Sequence, residues 1–127
     1  MTCDTPGKGS DILSKPLLSF LLYCLPIIAI VASGFEPVRH GWRTAIWIAA
    51  LTVMGGACIA NASRCGRIHC YVTGPFFLLA ALAALLYGVR VIPLGPHGWN
   101  LLGMAILIGA IVLCCVPEML FGKYRRN

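Results

Sequence analysis

Residues 99–116 read WNLLGMAILIGAIVLCCV, a run without one charged side chain. A helix needs about 20 apolar residues to cross a bilayer, and roughly 17 to 25 are tolerated. Outward from this run, three more segments meet the condition, at 76–94, 44–60 and 17–35. The third span in chain order, 76–94, carries Tyr87 and Arg90, with Arg90 near one end where its long stem reaches the interface. All four are expected to be α-helices, because lipid offers no partner for an open backbone group.

Composition agrees. The chain has 127 residues, 59% hydrophobic and 11% charged, whereas soluble domains carry about a quarter charged residues. Its carboxylates are only Asp4, Asp11, Glu36 and Glu118. The low charge excludes a disordered chain. The net charge of +6 reads as membrane topology: the basic residues sit between apolar runs, and no basic face interleaved with aromatics offers itself to nucleic acid. The 1–15 stretch is polar with balanced charge, and the apolar run after it is too long for a signal peptide, so it is expected to be retained.

Charge sets the orientation. The N-terminal segment, the second loop and the tail hold Lys8, Lys15, Arg64, Arg67, Lys123, Arg125 and Arg126, against Arg39, Arg43 and Arg90 in the other two loops. The positive-inside bias then places both termini in the cytoplasm, with Trp42, Trp47 and Trp99 near the outer interface. Short loops make consecutive helices antiparallel neighbours. The expected fold is an all-α, four-transmembrane-helix antiparallel bundle, a single domain in the bacterial inner membrane. Small residues four apart (Gly56 and Ala60, Ala80 and Ala84, Ala105 and Gly109) suit close helix packing.

Seven cysteines cannot all pair with one another. Cys58, Cys65, Cys70, Cys114 and Cys115 gather toward the inner face with Cys3, and only Cys24 lies near mid-membrane. The cytoplasm keeps thiols reduced, so this placement points to metal binding or redox chemistry. The densest stretch is 61–75, NASRCGRIHCYVTGP. If helix two continues through it, Cys65 and His69 share a face, four residues apart, and Cys70 lies within reach of a shared ion. Arg64 and Arg67 flank Cys65 and should favour its thiolate, the metal-binding form. Gly66 lets the loop wrap, and Gly74-Pro75 reads as the start of the next helix. The Cys-x4-Cys spacing is not a standard zinc pattern. An incidental role for these cysteines, as small apolar residues, competes with ligation.

Cys24-Leu25-Pro26 and Cys114-Cys115-Val116-Pro117 repeat a second motif. Proline cannot donate to the carbonyl four residues back, so the turns at Leu22 and Leu113 should loosen beside the cysteines. A sulfur there can serve as a transient ligand for a soft ion. His40 and His97 fall in the outer loops beside Gly41-Trp42 and Gly98-Trp99, where solvation is the simpler expectation than haem or metal ligation.

The vicinal Cys114-Cys115 with Pro117, in a small multi-helix protein with further inner-face cysteines, resembles the bacterial mercuric-ion transport proteins. That resemblance implies inward passage of Hg²⁺ by thiol exchange to a cytosolic reductase, so a cytosolic thiol or metal acceptor is the expected partner. This chain carries its pair in the last span, whereas the family usually carries it in the first, where only Cys24 stands. The Arg-Cys-Gly-Arg-Ile-His-Cys stretch leading into Thr-Gly-Pro also resembles a signature of small bacterial membrane proteins.

The expected function is binding or transport of a soft ion, Hg²⁺ or Cu⁺, by thiolate exchange, with Cys24 midway, Cys58, Cys114 and Cys115 near the exit, and Cys65, His69 and Cys70 as cytoplasmic acceptor. A homodimer in the bilayer would thicken a thin four-helix pore. Two alternatives stand beside it, an accessory subunit without chemistry of its own and a thiol–quinone oxidoreductase. The latter needs outer-loop cysteines, and here those loops have none. A proton-coupled multidrug exporter would need an acidic residue within a span, and no span contains one. No nucleophile–base–orienter set can be assembled from three histidines and four peripheral carboxylates, so no enzymatic activity is expected.

Overall fold

The computed structural model describes residues 15–35 and 40–121, without the side chain of Cys65. Cys3, Asp4, Lys8, Asp11, Glu36, Arg39, Lys123, Arg125 and Arg126 lie outside the described residues. Four helices, each long and apolar enough to cross a membrane, make up the described chain: α1 Pro16–Phe35, α2 His40–Cys65, α3 Ile68–Gly88 and α4 Gly98–Phe121.

Pro26 shapes α1. It has no N–H to give the Leu22 carbonyl, and its ring crowds that carbonyl. The helix responds with a π-helical turn over Phe20–Cys24, in which the Leu25 N–H bonds to the Phe20 carbonyl. The loosened turn expected beside Cys24 is therefore present as this π turn.

The expected loop at 61–75 is replaced by a two-residue turn. α2 runs on to Cys65, carrying Asn61 and Ser63 within the helix, the Ser63 hydroxyl donating to the Ala60 carbonyl at 2.9 Å. Gly66 stops it at φ 65°, a left-handed conformation costly for any residue with a Cβ, with its N–H on the Ala62 carbonyl at 2.8 Å. Arg67 is extended, and α3 begins at Ile68. Gly74-Pro75 thus lies inside α3 instead of opening it. His69 and Cys70 fall in the first turn of α3, not on a continuation of helix two, so Cys65 and His69 do not share one helix face.

The other end of α3 differs too. The helix stops at Gly88, short of residue 94, although the chain stays apolar through Val91, Ile92 and Leu94. Pro93 disfavours helical backbone at Ile92, and Arg90, at φ 62°, turns the chain away. The Tyr87 hydroxyl donates to the Gly95 carbonyl at 2.8 Å, tying this loop to α3. α4 continues past Val116 through Pro117 and Glu118 to Phe121.

Each helix packs antiparallel on its sequence neighbour, α1 on α2, α2 on α3, α3 on α4, with the α2–α3 pair at the centre. Lipid tails are as apolar as leucine, so close backbone approach and hydrogen bonds hold such helices together. In the α2–α3 pair a Cβ on Gly55 would come within 3.0 Å of the Gly74 carbonyl oxygen, and one on Gly74 within 2.7 Å of Ile59. Ala80 and Ala84 are buried at packed faces, as their spacing suggests, while Gly56 faces open space.

At one end, which we call the tryptophan end, His40, Trp47, Tyr87 and Trp99 form an aromatic cluster, with Trp47 and Trp99 ring centroids 5.1 Å apart and Tyr87 and Trp99 5.0 Å apart. Such pairs contribute about 0.5–1.5 kcal/mol each beyond the area they bury. Trp47 Nε1 donates to the buried Ser33 hydroxyl at 3.1 Å, and Arg43 Nε to the Ser33 carbonyl at 3.0 Å, joining α1 to α2. The opposite, basic end carries Lys15, Arg64 and Arg67.

Candidate thiol site at the basic end

The tight Gly66-Arg67 turn folds the start of α3 directly onto the end of α2. It packs Cys58, on α2, and Cys70, on α3, into one buried core cluster. Both side chains are buried and both thiols are free. Twelve positions apart in sequence, the two residues share this cluster because the helices are antiparallel with almost no loop between them.

Neighbouring helices furnish polar contacts to this pair. The Tyr23 hydroxyl, in the π turn of α1, lies 3.5 Å from Cys58 Sγ. Asn61 Nδ2 donates to Cys70 Sγ at 3.8 Å, and Asn61 is fully buried. Thr73, one turn along α3 from Cys70, donates its hydroxyl to the His69 carbonyl, and Cys114 of α4 reaches the same Thr73 side chain. Cys114 is half-buried on α4, the helix packed against α3. Arg67 is buried in the turn just before α3.

The remaining candidates separate. His69 turns to α4, where Nδ1 lies 2.6 Å from Glu118 Oε1. Cys115 is exposed, since adjacent helical positions point about 100° apart, and Cys24 is exposed on α1. Cys65 ends α2, and its side chain lies outside the described residues. Arg64 is exposed, while Arg67, expected to act on Cys65, is buried. His40 Nε2 lies 3.2 Å from the Gly88 carbonyl oxygen and its ring packs edge-on to Trp99, whereas His97 is exposed.

Among the described residues no group of three or more His, Cys, Asp or Glu side chains is gathered around one point. The donor set is two thiols, dressed by a phenol and an amide. Sequence reading had not singled out Tyr23, Asn61, Thr73 or Glu118 as parts of the site. Three of the four had a signal: Asn61 and Thr73 are polar residues inside helices, and Tyr23 precedes the Cys24-Leu25-Pro26 motif.

Two buried thiols in one cluster can surrender their protons to one soft cation, since soft thiolates select soft ions, or can lose two electrons to an oxidant and become a disulfide. Comparison with protein-family models, with curated proteins and with solved structures found no match.

Proposed function

We propose that this chain is an integral membrane protein that binds a soft metal ion, Hg²⁺ or Cu⁺, through thiolates at its basic end and passes it on by thiol exchange. The observation that carries this reading is the burial of Cys58 and Cys70 in one core cluster across α2 and α3, with the Asn61 amide on Cys70 and the Tyr23 hydroxyl beside Cys58. Cys114 supplies a third sulfur to which the ion can step, and Cys115 and Cys65 extend the route toward the basic end, where a cytosolic thiol accepts it. The cysteine pattern's resemblance to mercuric-ion transport proteins supports the same chemistry. In this reading the basic end and both termini face the cytoplasm of a bacterial inner membrane, following the charge bias.

The test is a titration of the detergent-purified, reduced protein with Hg²⁺, followed by ultraviolet sulfur-to-metal absorption. The first equivalent binds the wild type and the Cys65→Ser variant alike, and binding of that equivalent is lost in Cys58→Ser/Cys70→Ser. Undiminished binding by the double variant would sink the assignment. The burial of two free thiols in one cluster favours one second reading, a dithiol cycled to a disulfide. That reading requires a Cys58–Cys70 disulfide after mild oxidation, and full protection of both thiols by one bound ion argues against it.

A further inference from the structure

A thiol and a thiolate ask different things of a neighbour. A neutral thiol is a weak donor and a weak acceptor, whereas a thiolate is an anion whose hydrogen bonds are charge-assisted and roughly twice as strong. A donor aimed at a cysteine sulfur therefore acts more on the deprotonated, metal-bound state than on the resting one. Cys70 has such a donor. Asn61 Nδ2 lies 3.8 Å from Cys70 Sγ, and a side-chain amide nitrogen donates and does not accept.

The surroundings make this donor count. Cys70 and Asn61 are both at 0% exposure, so water does not reach the sulfur in place of the amide. Thr73, equally buried, gives its hydroxyl proton to the His69 carbonyl. A polar side chain closed off in this way is costly unless it is hydrogen-bonded, and Asn61 bonds to the sulfur. The amide belongs to α2 and the sulfur to α3, so helix packing fixes its direction. Cys58 has the Tyr23 hydroxyl at 3.5 Å, where either atom can be the donor; the Asn61 amide has no such choice.

On the reading of this pair as a soft-metal site, we infer that Asn61 is a positioning residue whose amide holds the Cys70 thiolate in the metal-bound state. Loading from a glutathione complex runs as Hg(SG)₂ + 2 RSH → Hg(SR)₂ + 2 GSH. Two Hg–S bonds break and two form, the cysteine protons pass to the departing glutathiones, and no oxidation state changes. The sulfur keeps part of its negative charge on the ion, so the N–H···S bond is weak before this exchange and stronger after it. Asn61 thereby draws the ion from the carrier thiol to the protein without being a ligand.

The test is competition titration of the full-length protein in detergent with Hg²⁺ against glutathione, read by sulfur-to-metal ultraviolet absorption. It compares the wild type with Asn61→Leu, which is close in size and has no side-chain N–H. The variant binds Hg²⁺ about tenfold more weakly, and its absorption band moves to longer wavelength, because a sulfur lone pair without its donor lies higher in energy. Weaker binding with an unmoved band, or unchanged affinity, makes Asn61 a packing residue only and overturns the inference while leaving the thiol site standing. Failure of the wild type to bind Hg²⁺, or equal binding by Cys58→Ser/Cys70→Ser, overturns the thiol site itself. Should Asn61→Leu not fold, the wild type carries the test. In its proton NMR spectrum the Asn61 side-chain amide moves downfield when Hg²⁺ binds, and an unmoved resonance overturns the inference.

Discussion

Two glycines of the central helices differ in what stands opposite them, and the difference gives a sharp residue-scale test. Gly74 faces the α2 backbone, so a methyl group there would overlap Ile59, while Gly56 faces open space. Gly74→Ala should therefore destabilise the α2–α3 pair by about 1–3 kcal/mol, the usual cost of overpacking. Gly56→Ala should leave stability unchanged or raise it by about 0.5–1 kcal/mol through helix propensity. Thermal unfolding in one detergent reads both, and equal shifts would show that the close approach at Gly74 is not what holds the helices. At the other end, Ser33→Ala leaves the buried Trp47 N–H without its acceptor, a loss of about 1–3 kcal/mol. In Trp47→Phe the indole N–H is absent, so removing the Ser33 hydroxyl costs much less. A double-mutant cycle over the two substitutions should give a clear interaction energy, and simple additivity would count against the bond.

Among the elements, α1 is the one whose internal geometry reaches the thiols. Its π turn, opened by Pro26, sets Tyr23 against Cys58. Removing the hydroxyl in Tyr23→Phe should weaken metal binding by about 1 kcal/mol, roughly fivefold in affinity. Pro26→Ala should have the same effect by letting the turn close into regular α-helix and rotating Tyr23 away. If Pro26→Ala retains full affinity while Tyr23→Phe loses it, the π turn is not what positions the phenol. The four helices themselves were legible because an uncharged run of span length has few other fates. Their ends were less so. Gly74-Pro75 carries a helix-start signal, yet by then α3 is already packed on α2, and tertiary contact outweighs a local preference. Val91 to Leu94 reads as more helix, but Pro93 and the left-handed Arg90 end it. The inner-face gathering of cysteines was visible in the pattern. The particular partnership of Cys58 with Cys70 was not, because it depends on a two-residue turn at Gly66-Arg67 where a longer loop was expected. Continuing helix two through the stretch also coupled His69 to Cys65, whereas the first turn of α3 aims His69 at Glu118.

For the whole molecule, the chain is an antiparallel succession of four membrane-length helices with distinct ends, aromatic at one and basic with thiols at the other. Orientation is an electrostatic matter, and the charge bias favours the basic end in the cytoplasm. With the native cysteines replaced, a cysteine introduced by Arg64→Cys should react with a membrane-impermeant maleimide only after cells are permeabilised. One introduced by Trp42→Cys, at an exposed position of the tryptophan end, should react in intact cells. The reverse pattern would invert the topology and direct any metal flow the other way. The central claim is that one soft ion sits between Cys58 and Cys70, and X-ray absorption at the mercury edge tests it most directly. Protein loaded with one equivalent of Hg²⁺ should show two sulfur neighbours and no nitrogen or oxygen ligand, and Cys58→Ser/Cys70→Ser should lose that signature. An identical two-sulfur spectrum from the double variant, or a nitrogen ligand in the wild type, would contradict it.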